Sequence, residues 1–175
     1  MYFVTSNKNK YNEMKGFIPS LKMKDIDLKE IQSLSIEEVV NEKLEEGKTK
    51  INEPFICEDV SLEINTLNKF PGPLVKWFMK TLSLEDINKI LSEYSDKTAT
   101  AIAVIGYYDG EESLLFKGEV NGKIVSKKGS RFGFDPIFQP EGSNKTFGEM
   151  SIEEKARYSH RMKATRKLKE HIQIS

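Results

Sequence analysis

YFVTSNKNK, residues 2–10, is the stretch of sequence that decides the fold. Its first three residues are an apolar run, which is typical of a short buried strand. Tyr11, Met14 and Ile18 then recur at helical spacing, so the polar residues 5–10 are predicted to connect a strand to a helix. The order strand, loop, helix is typical of the start of an α/β fold.

The following segments continue this alternation of strands and helices. Residues 23–28 are predicted to form a strand. Ser35 is followed three residues later by Glu38, a capping-box pattern that predicts a helix running to about Lys48. Residues 54–57 are predicted to form the next strand.

The remaining predicted elements are mostly strands. The strands are a short one over 62–66, one over 98–108, and a pair over 114–125 with Asn121-Gly122 as their turn. The helices are one that follows a turn at 71–73 and ends at Lys80, one capped by Ser83, and a charged one from Ser151. We therefore predict an α/β fold in a single domain over residues 1–175. It would have a mixed twisted sheet with flanking helices, and two lobes around a central substrate cleft.

The charge balance and the cysteine count of the chain exclude some classes of function. The chain has 27 Lys and Arg against 27 Asp and Glu, so its zero net charge argues against bulk attraction to nucleic acid or an anionic membrane. Cys57 is the only cysteine, which excludes an internal disulfide and suits a reducing compartment. Because the first residues lack a signal pattern and no apolar run has the length of a membrane span, we expect a cytoplasmic protein.

The loop at residues 5–10 is the first candidate binding element. Backbone N–H groups and the helix dipole at a helix N-terminus favour phosphate, and Lys10 would add a mobile positive charge. Thr5, Ser6 and Asn7 are therefore candidate phosphate ligands with Lys10. The loop lacks the glycines of a Walker loop, so by spacing alone a plain turn with a helix cap is the stronger alternative.

Three carboxylates form the second candidate set. Glu58 and Asp59 directly follow the predicted strand at 54–57, and Glu30 lies upstream. Oxygen ligands of this kind suit Mg²⁺ beside a triphosphate. Solvated surface charge is the alternative, because acidic residues are abundant here. The position after an apolar strand, where ligands bind in α/β folds, favours a site.

The third set, Phe132, Gly133, Phe134 and Asp135, could stack on a base and accept hydrogen bonds from its polar edge. The alternative is that these residues only form the buried start of a core strand.

The fourth set is Lys155, Ser159, His160 and Arg161. The alternative for Lys155 and Arg161 is a solvated helix face, and the alternative for His160 is a partly buried structural histidine. On one continuous helix, His160 and Arg161 would point well away from the face of Lys155. We therefore predict a helix that ends near Arg157 or Tyr158 and a new helix after Ser159, which is a good N-cap residue.

In this order the motifs resemble one family, the inosine/xanthosine triphosphate pyrophosphatases, also called the Ham1-like non-canonical purine NTP pyrophosphatases. The matching stretches are T-S-N-K-N-K at 5–10, E-I-Q at 30–32, E-D at 58–59, P-G-P with K-W-F at 71–78, F-G-F-D-P at 132–136, and E-K with S-H-R between 154 and 161. Ser6 stands where the family usually has Gly, Val60 where it has Thr or Ser, and Phe134 where it often has Trp.

The resemblance implies hydrolysis of ITP, dITP and XTP to the monophosphate and pyrophosphate, often by a homodimer. It implies that Asp59 is the catalytic base and a metal ligand, and that Glu30 binds Mg²⁺ with Glu58 assisting. The implied substrate contacts are Thr5, Ser6, Asn7, Lys10, Phe132, Gly133, Phe134, Asp135, Lys155, Ser159, His160 and Arg161. Two alternatives stay open, a Maf-type nucleotide pyrophosphatase and a nucleotide-binding regulator without turnover.

Overall fold

The computed structural model describes the backbone of residues 1–174 and the side chains of residues 1–173, and over these residues the chain forms a mixed α/β fold. Its strands are β1 (Tyr2–Val4), β2 (Lys22–Lys24), β3 (Phe55–Ile64), β4 (Pro71–Gly72), β5 (Thr98–Tyr108), β6 (Ser113–Ile124) and β7 (Phe138–Pro140). Its α-helices are α1 (Lys8–Lys15), α2 (Ile36–Lys50), α3 (Val75–Thr81), α4 (Leu84–Ser92), α5 (Ile152–Tyr158) and α6 (His160–Ile174).

The described strands form one sheet in the order β2-β1-β3-β5-β6-β7, with β4 paired to β3. β1 runs parallel to both β2 and β3, and the other neighbouring pairs are antiparallel. Helices α2 and α6 pack against β5. The prediction of a mixed sheet with flanking helices is therefore confirmed, whereas the two lobes stay a prediction.

Strand β3 corrects the prediction of two separate strands at 54–57 and 62–66. It is continuous, because the longer β5 pairs with it at every position and this ladder outweighs its polar side chains. Glu58 and Asp59 therefore lie in the middle of a strand and not at its end. They nevertheless follow Ile56, the last residue of β3 that pairs with parallel β1, so they emerge beside the C-terminal end of β1.

Two further predictions of local structure are wrong. The strand predicted over 23–28 ends at Lys24, because its partner β1 has only three residues, and Leu28 packs instead in the core beside α2. Asn121-Gly122 is not a turn, since both residues pair with β5 inside β6. A side chain at Gly122 would collide with the Gln139 carbonyl oxygen, so glycine here permits the close approach of β7.

The predicted break in the C-terminal helix is confirmed. Helix α5 ends at Tyr158, and Ser159 has an extended ψ of 132° before α6 begins at His160. The Ser159 hydroxyl oxygen accepts a hydrogen bond from the Met162 amide at 3.4 Å, which caps the new helix. The break lets Arg161 and Lys155 reach a shared partner, Glu13.

Helix α6 lies directly on β6 at Gly118. A Cβ atom there would lie 2.1 Å from the His160 carbonyl oxygen and 2.5 Å from the Ala164 amide nitrogen. Gly118→Ala should therefore lower the free energy of unfolding by about 1–3 kcal/mol, the usual cost of overpacking. Urea denaturation measures it. Gly16→Ala is the matched control, since Gly16 has helical φ and an open Cβ position; equal stability of the two variants would contradict the prediction.

None of the helices described between residues 1 and 174 is long and apolar enough to span a membrane.

Candidate active site

A cleft of about 450 Å³ opens beside the C-terminal end of β1. It brings together most of the residues that the sequence singled out: Thr5, Ser6, Asn7, Lys10, Glu30, Glu58, Asp59, Phe132, Gly133, Phe134, Asp135, His160 and Arg161. Lys155 and Ser159 do not line this cleft but lie behind it.

The loop before α1 is both a turn with a helix cap and a wall of the cleft. The Asn7 side-chain oxygen accepts hydrogen bonds from the amides of Asn9 and Lys10 at 3.0 and 3.1 Å. The Asn7 amide donates to the Thr5 hydroxyl oxygen at 3.0 Å. These three amides therefore already have partners, and the Lys10 ammonium becomes the main group of this loop that can attract a phosphate.

Charged side chains form one continuous series of ion pairs that runs along the cleft and continues behind it to Glu13 and Lys155. Each neighbouring pair is within 4.0 Å, and the order is Lys76, Glu30, Lys43, Asp59, Lys10, Glu58, Arg161, Glu13, Lys155, Asp135. Cations and anions alternate and balance, because the series holds five of each. A bound polyanion must therefore compete with the protein's own carboxylates for these cations.

At one end of the series, an ammonium group lies between two carboxylates. The Lys43 nitrogen is 2.9 Å from Glu30 Oε1 and 3.0 Å from Asp59 Oδ2, and the Lys76 nitrogen is 2.6 Å from Glu30 Oε2. Burial alone would raise the pKa of Glu30, but Lys43 and Lys76 outweigh it and hold that pKa at about 2. Between residues 1 and 173 no three His, Cys, Asp or Glu side chains form a ready metal cluster.

In the middle of the series, Arg161 is 2 % exposed and holds two carboxylates. Its Nε donates to Glu58 Oε1 at 2.9 Å, and its Nη1 donates to Glu13. Burial alone would raise the pKa of Glu58, but Arg161 and Lys10 outweigh it and hold that pKa at about 2. Arg161 also lies over the Phe132 ring, 5.8 Å from its centre.

Lys155 acts behind the cleft. Its nitrogen donates to Asp135 Oδ2 at 2.5 Å and to Glu13 Oε1 at 2.6 Å, and the residue is 3 % exposed. Burial raises the pKa of Asp135, although the charge of Lys155 opposes this rise. Lys155 therefore fixes the carboxylate that lines the cleft, while Ser159 caps α6.

The His160 ring is stacked with two aromatic rings. Its ring centre lies 5.8 Å from that of Phe134 and 6.0 Å from that of Phe147, with an interplanar angle of 29° in each case. The residue is 2 % exposed, and its Nδ1 has no hydrogen-bond partner among the described residues. Burial, followed by the charges of Arg161 and Lys155, lowers the pKa of His160 well below 6.5. The folded protein therefore carries a neutral imidazole here.

This neutral histidine predicts a pH dependence of stability. As the pH falls through 6.5, the unfolded chain takes up a proton at His160 that the folded chain refuses. The free energy of unfolding should therefore decrease between about pH 6.5 and pH 5, by up to about 1.4 kcal/mol per pH unit. Urea denaturation measures the slope, which His160→Gln should reduce. If the slope is the same in His160→Gln and wild type, His160 is not the cause.

The chain matches known proteins over nearly its whole length. The model of the Ham1 family matches residues 1–171. The chain belongs to the Ham1 family. It is 42 % identical to an inosine triphosphate pyrophosphatase of Aspergillus oryzae, over 97 % of this chain and 92 % of the relative. A second relative of that name, from Ajellomyces capsulatus, is 39 % identical over 96 % of this chain and 93 % of its own length.

Solved structures of Ham1 proteins share the fold. The Staphylococcus aureus Ham1 protein matches with a TM-score of 0.83 and 30 % identity, covering 98 % of this chain and 97 % of its own. A HAM1 protein from Coxiella burnetii matches with a TM-score of 0.82 and 25 % identity, covering 99 % of this chain and 98 % of its own.

This Ham1 chain tolerates its departures from the family pattern. Ser6 is not among the non-glycine residues with positive φ, so the backbone there does not require glycine. Val60 supplies a main-chain contact in place of a hydroxyl group, since its amide donates to Asp59 Oδ1 at 2.8 Å. Phe134 keeps an aromatic face at the cleft wall.

Sequence reasoning missed Lys43 in this Ham1 cleft and Glu13 behind it, and it used Lys76 only as part of a motif. Lys43 carried a signal, because it occupies the apolar stripe of α2 between Val40 and Gly47. Glu13 carried no comparable signal, since its partners on α5 and α6 lie more than 140 residues away in the sequence.

Proposed function

We propose that this chain hydrolyses non-canonical purine nucleoside triphosphates, namely ITP, dITP and XTP, to the monophosphate and pyrophosphate. The observation that carries the proposal is that a single cleft holds one set of lysines and carboxylates and a second set of aromatic rings with Arg161. The first set suits a triphosphate with its metal ion, and the second suits a purine. Two relatives named inosine triphosphate pyrophosphatase, about 40 % identical, support it.

In the proposed reaction, water attacks the α-phosphorus and the bond to the bridging oxygen of the β-phosphate breaks, releasing pyrophosphate. Phosphoryl transfer depends mainly on positioning and charge neutralisation. Asp59 is the base that orients the water and accepts its proton. Lys10, Lys43 and Lys76 neutralise the phosphate oxygens, and Thr5, Ser6 and Asn7 border the phosphates.

Glu30 and Asp59 are the proposed ligands of Mg²⁺. The Lys43 ammonium already lies 2.9 and 3.0 Å from one oxygen of each, so a hard cation fits between these carboxylates. When bound, Mg²⁺ supplies additional neutralisation of charge on the triphosphate. Glu58 is less suited to a metal ion, because Arg161 and Lys10 already hold its two oxygens.

The other end of the cleft is the proposed base pocket. Phe132, Gly133 and Phe134 frame the purine and the sugar, and His160 and Arg161 donate hydrogen bonds to the 6-oxo group. Adenine carries a 6-amino donor at this position, and Arg161 cannot become an acceptor. Asp135 accepts hydrogen bonds from the base edge. We assign Lys155 as a positioning residue for Asp135, because its ammonium is buried behind that carboxylate.

We also propose that residues 1–175 form one domain and that the protein acts in the cytoplasm as a homodimer. The balanced net charge supports a small-molecule substrate over nucleic acid or a membrane surface.

Hydrolysis of ITP in ¹⁸O-labelled water with Mg²⁺ tests the reaction. The label should appear in the monophosphate and not in pyrophosphate, because water attacks the α-phosphorus. Nucleotide that binds but is not hydrolysed would instead favour a regulator, and label in pyrophosphate or in inorganic phosphate would contradict the proposed bond cleavage.

A further inference from the structure

We propose that Lys43 and Lys76 hold the place of the divalent cation in the free protein, so that the metal ion binds only together with the nucleoside triphosphate. The inference rests on the proposed function, and it adds an order of binding that the reaction itself does not require.

The first support is that the proposed metal ligands are already engaged. Both oxygens of Glu30 hold an ammonium, at 2.9 Å from Lys43 and 2.6 Å from Lys76. Asp59 Oδ2 is 3.0 Å from Lys43, and Asp59 Oδ1 accepts the Val60 amide at 2.8 Å. A metal ion arriving alone must therefore displace ammonium groups that would have no new anion to bind.

The second support is the difference in burial between the two lysines. The Lys43 side chain is 8 % exposed, whereas that of Lys76 is 51 % exposed. Water can replace the partner of Lys76 at little cost, but a displaced Lys43 ammonium would lose hydrogen bonds inside a largely buried site. Lys43 is therefore the main obstacle to a metal ion, and Lys76 is a weaker one.

A triphosphate removes this obstacle because it supplies several negative charges in the same cleft. The ammonium groups can then move from carboxylate oxygens to phosphate oxygens, and the carboxylates of Glu30 and Asp59 become free for the cation. Since the same lysines would serve first the carboxylates and then the phosphates, no cation or anion is left unpaired at any stage. Metal ion and triphosphate thus bind with positive coupling.

Binding of Mn²⁺ to the protein without nucleotide, measured from the electron paramagnetic resonance signal of free Mn²⁺, tests this inference. Wild type should bind Mn²⁺ weakly. Lys43→Gln should bind it at least about tenfold more tightly. Two unit charges about 4 Å apart at an intermediate dielectric repel each other by more than the free energy of a tenfold change in affinity, and the variant removes this repulsion between Lys43 and the metal ion. Lys76→Gln should show a smaller increase in affinity. Because Lys76 is exposed, this substitution should not impair folding.

Two further variants serve as controls. Lys80→Gln removes the same charge one helical turn from Lys76 in the same cleft, but Lys80 makes no ion pair within 4.0 Å among residues 1–173, so the Mn²⁺ affinity of this variant should stay closer to that of wild type than that of Lys76→Gln. Lys43→Arg keeps the charge and should still exclude Mn²⁺. Thermal unfolding with and without Mg²⁺ gives a second readout, because Mg²⁺ should raise the melting temperature of Lys43→Gln more than that of wild type.

The inference is overturned if wild type binds Mn²⁺ as tightly as Lys43→Gln, or if neither Lys43→Gln nor Lys76→Gln exceeds wild type. If Lys43→Gln does not fold, Lys76→Gln against Lys80→Gln decides. Its failure is distinguishable from failure of the proposed function: wild type that hydrolyses ITP yet binds Mn²⁺ tightly alone refutes only the placeholder role. Tighter Mn²⁺ binding in the variants without any turnover by wild type refutes only the activity.

Discussion

Asp59→Asn should reduce the turnover of ITP by about 10²–10⁴-fold, the usual effect of removing a general base. Loss of a metal-ligand charge would add to this. The fold should survive, because the asparagine keeps the shape of the side chain and can still accept the Val60 amide. Lys43 would also keep its second partner, Glu30.

Steady-state release of pyrophosphate measures this effect, with circular dichroism as the check on folding. Asp25→Asn is the matched control, because Asp25 is exposed and does not line the cleft, and it should retain the turnover of wild type. Turnover of Asp59→Asn within a few-fold of wild type would remove Asp59 from the role of base.

Arg161→Ala should lower the free energy of unfolding by about 3 kcal/mol, the lower end of the cost of breaking a buried ion pair. The variant leaves Glu58, whose side chain is 0 % exposed, with Lys10 as its cation, and leaves Glu13 with Lys155. Because Lys10 remains 3.0 Å from Glu58, the cost should not reach the upper end of the range. Urea denaturation at neutral pH measures it.

The double variant Glu58→Gln/Arg161→Met separates charge from packing. It removes the charge of Glu58, the buried carboxylate that loses its arginine partner in Arg161→Ala, so the double variant should be more stable than Arg161→Ala. A cost below about 1 kcal/mol for Arg161→Ala would contradict the structural role.

The activity of Arg161→Ala carries separate information: the ratio of kcat/KM for ITP to that for ATP should fall. An equal loss on both nucleotides would make Arg161 a phosphate-binding or structural residue.

The sequence predicted those parts of the fold whose signals are local. The N-terminal strand, the helix capped by Ser35 and the break before His160 depend on apolar spacing, on capping residues and on the angle between helical positions. The same reasoning failed where pairing decides the structure. Asn121-Gly122 has the residues of a hairpin turn, but strands on both sides hold it extended.

The candidate site shows the same limit. The order of the motifs identified the residues around the cleft, because each motif was readable in a short stretch. The ion pairs that join them were not readable, since Glu13 reaches Lys155 and Arg161 only through tertiary packing. Lys155 illustrates the consequence: its motif suggested a direct contact with the substrate, whereas its contacts with Asp135 and Glu13 place it behind the cleft.

The central claim is that this cleft hydrolyses ITP and XTP, whose bases carry a 6-oxo group, in preference to ATP, and a steady-state panel of these three nucleotides with and without Mg²⁺ tests it most directly. A desolvated donor without an acceptor costs about 1–3 kcal/mol, so two mismatches with adenine should favour ITP and XTP over ATP on the order of 10²–10⁴-fold in kcat/KM. Pyrophosphate release should require Mg²⁺. If ATP is hydrolysed as efficiently as ITP, or if ITP is bound without hydrolysis, the account of this cleft is wrong.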